Sequence, residues 1–161
     1  MMKITNFCVV LAFILLFPAF ISGQTAAEMD AVLESQAITC SQAAFFVLAS
    51  YGGDASADKA SGKATDAFEW VISKGWLPKG SKADEPITMG TLSLLMVKAF
   101  DIEGGFMYSL FPSARYAIRA MVNHSYIQDP VDPDMKVSGE RFLIILGNVL
   151  NAAGETTNER K

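Results

Sequence analysis

Cysteine and histidine are almost missing from this chain, which has two Cys and one His in 161 residues. Basic residues are outnumbered, 13 Lys and Arg against 17 Asp and Glu, for a net charge of −4. No basic stripe runs along any segment, so the electrostatic footprint of a nucleic-acid binder is missing. There is no Gly-rich phosphate loop, zinc-ligand spacing, nucleophile elbow or paired-carboxylate motif. Beyond the first 21 residues, no apolar run approaches the roughly 20 residues needed to cross a bilayer.

What is present begins with an apolar run from Phe7 to Phe17, preceded by Lys3 and followed by Pro18 and the small residues Ser22-Gly23. That pattern predicts a secretory signal peptide over residues 1–23, with cleavage after Gly23. A retained anchor helix is the alternative, but the run is short for a span. Cleavage leaves one domain's worth of chain, about 24–161. Its charge falls to −5 with the loss of Lys3, and Cys40 is its sole thiol. An intramolecular disulfide is then impossible, which suits a bacterial periplasm or cell surface better than a disulfide-stapled secreted mini-domain.

The most informative presence is a segment that occurs three times. Ile38-Thr39, Ile87-Thr88 and Val137-Ser138 each open an apolar stretch, and their starts lie 49 and 50 residues apart. In each, a hydroxyl residue at the helix start can accept a free backbone N–H, and Gln42 completes a capping-box pattern with Thr39. The flanking segments repeat too. Asp66 to Pro78 lies over Tyr116 to Gln128 at an offset of 50: an amphipathic helix, a sharp turn, then Trp76-Leu77 or Tyr126-Ile127 as an apolar plug. Gly75 stops the first of these helices, since glycine enters the left-handed region cheaply. Ser113 is placed to cap the second. A fixed period of this size signals stacked units, none of which can bury its own helix.

The chain therefore reads as all-α, with repeats at about 26–53, 64–102 and 113–151. A cluster of Phe45, Val47, Leu48, Leu92, Leu95, Met96, Phe142, Ile145 and Leu146 is expected at the centre. The last helix is expected to end near Asn151, leaving 152–161 as a frayed polar tail.

This unit resembles the repeat of the S-layer homology (SLH) family. Ala67-Phe68 through Gly75-Trp76-Leu77, with Pro86-Ile87-Thr88, carries the likeness best. Ala117-Ile118 through Tyr126-Ile127, with Val137-Ser138 and Glu140-Arg141, carries it less fully. Ile38-Thr39 carries only the second half. The resemblance implies a pseudo-threefold domain, with helix-loop-helix repeats around a central three-helix core. It also implies grooves that bind anionic cell-wall polysaccharide through an Arg after the capping residue. Here that position holds Cys40, Met89 and Gly139, so the cation is gone.

The residues that could carry chemistry have plainer alternatives. His124 has no partner pattern, and at a helix end its charge suits the dipole. Cys40 could be a nucleophile or a redox thiol at a helix start, but it also reads as a small buried hydrophobe. Asp129, Asp132 and Asp134 lack the Gly and distal Glu of a calcium loop and are ordinary turn formers. Trp70, Trp76 and Tyr126 read as seals on helix ends. Phe106, Tyr108 and Phe111 follow the Gly104-Gly105 hinge on a helical or extended arm and exceed what a turn needs. They are the candidate partner-facing patch.

The expectation is a non-catalytic, exported cell-envelope interaction or structural protein, without a cofactor, a metal or a nucleic-acid partner. Its partner would be an envelope protein or a cell-wall polymer. The alternative is a module that binds peptidoglycan or a secondary wall polymer, with Lys74, Lys79, Lys82, Arg115 and Arg119 replacing the missing Arg. An enzyme or thiol-redox protein using Cys40 is the more distant alternative.

Overall fold

The computed structural model describes residues 29–51, 63–128 and 131–158, the last five as backbone only. The signal-peptide expectation over 1–23, residues 52–62 and Asp129 lie outside the described residues. Among the described residues the chain is all-α, with two isolated β-bridges and no strand. A short helix, α1, covers 29–33. It is followed by α2 (Cys40–Ser50), α3 (Ala64–Ser73), α4 (Met89–Ala99), α5 (Gly105–Leu110), α6 (Ala114–Asn123) and α7 (Gly139–Asn158). No helix among the described residues is long and apolar enough to cross a membrane.

The three cap-led helices start as their sequences dictate. Thr39 Oγ1 accepts the Gln42 N–H (3.2 Å) while Gln42 Oε1 accepts the Thr39 N–H (2.9 Å), closing a capping box. Thr88 Oγ1 accepts the Thr91 N–H and Ser138 Oγ the Arg141 N–H, each at 3.3 Å. Ser113 departs from the expectation. Its backbone is extended like that of the other caps, but its side chain makes no capping bond; only its carbonyl accepts, from the Ala117 N–H (2.9 Å).

The residue before each of the three caps is enclosed: Ile38, Ile87 and Val137 are all fully buried. Their backbones form a closed cycle. The Ile38 N–H donates to the Val137 carbonyl (3.0 Å), the Ile87 N–H to Ile38 (2.8 Å), and the Val137 N–H to Ile87 (3.1 Å). A second cycle surrounds it. Cys40 donates to the Glu85 carbonyl (2.9 Å), Met89 to Met135 (2.8 Å) and Gly139 to Ser35 (2.9 Å). These are N–H groups that a helix start leaves without an internal partner. Each is satisfied by the loop ahead of another cap, so segments far apart in sequence are tied at one point.

Packing beyond the ring differs from a simple central trio. The most extensive contacts pair α4 with α6 and α2 with α3; α2 touches α4 and α7 more lightly. The cap-led helices are apolar nearly all round. The amphipathic α3 covers a face of α2, and the amphipathic α6 a face of α4, that the other cap-led helices leave open. Helix α4 is the most enclosed, with eight of its eleven residues buried. Its one buried polar side chain, Ser93, is satisfied by donating to the Met89 carbonyl (2.8 Å). The expected core residues are buried, except Phe45, which is half-buried.

The turns after α3 and α6 match at the same offset of 50. Gly75 (φ 70°) and Ser125 (φ 61°) are both left-handed. The next residue folds back identically, with Trp76 N–H to the Val71 carbonyl and Tyr126 N–H to Met121, both 2.9 Å. Helix α7 runs to Asn158 rather than ending near Asn151. No proline follows Asn151, and Ala152 and Ala153 continue the helix well.

Candidate functional site

Among the described residues, α5 is the one helix with no buried residue. The Gly104-Gly105 hinge sets its entry, and Gly105 lies in the left-handed region (φ 71°). A side chain at Gly104 would overlap the Tyr108 ring, which folds back over the hinge. Tyr108 is thus half-buried and not outward-facing, in contrast to its expected place in the partner patch. Its hydroxyl is buried and has no hydrogen-bond partner among the described residues, and burial raises the phenol above its ordinary pKa of 10.0.

Phe106 and Phe111 do face outward, at 77% and 63% exposure. Two residues outside the expected patch join them: Met107 and Leu110, also exposed. Their signal was legible in retrospect, since Leu110 follows Phe106 by one helical turn. The surface spans a helix only six residues long. Its rear is held by Tyr108 and by contact with α6. On its N-terminal side, His124 Nε2 lies 3.1 Å from the Glu103 carbonyl. A carbonyl only accepts, so this ring nitrogen carries the proton. The His124 ring also stacks on Tyr126, 5.5 Å between centroids and 12° between planes.

The residue after each of the three caps, where the resemblance leads one to expect an Arg, is enclosed. Cys40, Met89 and Gly139 are all buried. A Cβ at Gly139 would overlap the Val32 carbonyl, so that site has no room for any side chain. Burial, reinforced by the Glu85 carboxylate, pushes the Cys40 thiol from 9.0 up to about 11. Any lowering by the helix start is overridden, and a thiolate is scarce near neutrality.

The five candidate cations do not converge on one element. Lys74 lies over the Trp70 ring, 5.0 Å from its centroid. Lys79 and Lys82 are exposed on the loop ahead of the second cap, and Arg115 and Arg119 on α6. Trp70 and Trp76 meet edge-to-face at 5.0 Å, and Tyr51, unnoticed in the sequence, completes the cluster against Trp76 at 5.0 Å. These aromatics seal the C-terminal ends of α2 and α3. Asp132 Oδ1 accepts the Asp134 N–H (3.0 Å) in an ordinary Asx turn. Among the described residues no group of three His, Cys, Asp or Glu is placed to hold a metal.

Comparison with protein-family models, with curated proteins and with solved structures yields no match to this chain.

Proposed function

We propose that this chain is an exported, non-catalytic interaction module of the bacterial cell envelope, built on an SLH-like scaffold. Its partner-facing surface is α5. The observation that carries the reading is the contrast within the fold. A closed, fully bonded junction at Ile38, Ile87 and Val137 holds the domain together. One short helix, meanwhile, leaves Phe106, Met107, Leu110 and Phe111 in solvent. Exposed apolar clusters of this kind mark interaction surfaces.

Two further observations favour binding over catalysis. The Cys40 thiol is enclosed and held protonated by burial. The His124 Nε2 is engaged by a backbone carbonyl and not by a side-chain partner. Export rests on the apolar run and small residues of 1–23. The pseudo-threefold reading draws support from the two cyclic sets of backbone bonds, whose members recur at the 49- and 50-residue offsets. Wall-polymer binding has weaker support, because the family's Arg position is buried and neutral and the other cations are scattered over three elements.

Cell fractionation with N-terminal sequencing tests export: a chain beginning after Gly23 in the envelope fraction is expected, and full-length protein in the cytosol would sink the reading. Purified wall material tests the alternative. Retention that is lost in Lys82→Gln or Arg119→Gln would overturn the α5 reading in favour of a polymer ligand.

A further inference from the structure

From the composition around α5 we infer that its partner is an anionic lipid surface. This rests on the partner-facing role proposed for α5, and it is independent of export. Phe106, Met107, Leu110 and Phe111 expose apolar area on the order of 400 Å², below the roughly 800 Å² per partner that a stable protein–protein interface takes. From Gly104 to Ala114 there is no charged residue. A protein interface of ordinary kind carries about one hydrogen bond per 100–200 Å², and here Ser109 is the only exposed hydroxyl among the apolar side chains. It already turns back on the Gly105 carbonyl. A bilayer interface needs no matched hydrogen-bond partners and sets no minimum area, its binding strength scaling with the apolar area inserted; it accepts Phe and Leu side chains at the headgroup boundary.

Charge points the same way. The chain is acidic overall, yet from Gly104 to Gln128 it has no Asp or Glu. The cations of that stretch, Arg115 and Arg119, are exposed one helical turn apart on α6, and α6 packs against α5. The nearest acidic residues in sequence, Asp101 and Glu103, precede the hinge, and the loop of Asp132 and Asp134 approaches the start of α6, where a Cβ at Gly90 would meet both Ala114 and Pro133. Apolar insertion beside arginines is the combination by which a peripheral helix selects anionic lipid.

The test is hydrogen–deuterium exchange on the full chain. Vesicles of phosphatidylcholine alone are compared with vesicles of equal phosphatidylcholine and phosphatidylglycerol. This readout is local, so binding through residues 7–17 does not obscure it. Expected is a slowing of about tenfold or more across residues 105–111 with the anionic vesicles, and much less with the neutral ones. The double change Phe106→Ser with Phe111→Ser should abolish the effect. Removing Arg115 and Arg119 as glutamines should raise the lipid needed about fivefold per residue. Both phenylalanines are exposed, and matched thermal unfolding verifies that the variant is folded. Exchange at 105–111 that ignores anionic vesicles, or slowing that survives the double change, overturns the inference. So does protection before any lipid is added: it would assign the surface to a second copy if it deepens with protein concentration, or to the chain's own 7–17 run if it does not. Any of these failures leaves the export and wall-retention tests standing.

Discussion

Ile87 and Phe106 are both large apolar residues, and the fold treats them oppositely. Ile87 is fully enclosed and bonded through its backbone to Ile38 and Val137. Phe106 is 77% exposed on a six-residue helix. Stability should therefore reside in the ring and its helices, and recognition in α5. Changes at the first should unfold the protein, and changes at the second should leave it folded.

The largest effect is expected at the ring. Ile87→Ala should cost about 2–5 kcal/mol, read as a lower urea midpoint. A cost under about 1 kcal/mol would remove the ring from the account of stability. Next comes pH. The Cys40 thiol titrates near 9.0 when unfolded and about 11 when folded. Folding thus favours the protonated form, so this contribution is complete below about pH 9. It is lost as pH rises towards 11, by about 2–3 kcal/mol at 1.36 kcal/mol per unit. Cys40→Ala should show a flatter urea midpoint between those pH values than the parent.

Gly139→Ala should cost about 1–3 kcal/mol through its collision with the Val32 carbonyl. It would be harmless only if α1 contributes little. On α5 the signs change. Tyr108→Phe removes a buried hydroxyl that has no partner among the described residues and should stabilise by about 1 kcal/mol in thermal unfolding. Phe106→Ser should move the unfolding temperature hardly at all, with an effect within about 0.5 kcal/mol.

Much of the ring side was legible in the sequence. Thr39, Thr88 and Ser138 act as the caps their spacing suggested, because capping is a local interaction between residues three apart. Gly75 announced its turn, and Ser125 shares that turn only through its aligned position. Ser113 shows the limit: the backbone was right, but a side-chain rotamer depends on tertiary surroundings. The pairing of α4 with α6 was not legible, since periodicity says that a face is buried but not against what. On α5, the excess of aromatics singled out Phe106 and Phe111, and both side chains are exposed. Tyr108 was misplaced because its fold-back depends on the bare backbone of Gly104, a contact that no spacing rule expresses.

Native-state hydrogen exchange compares the two regions in one experiment. The amides of Ile38, Ile87 and Val137 should exchange only through global unfolding, with opening free energies agreeing within about 1.4 kcal/mol, a factor of ten in rate. Those of Gly105–Leu110 should open far more readily. A ring amide that exchanges as fast as α5, or three ring amides that open independently, would contradict the account.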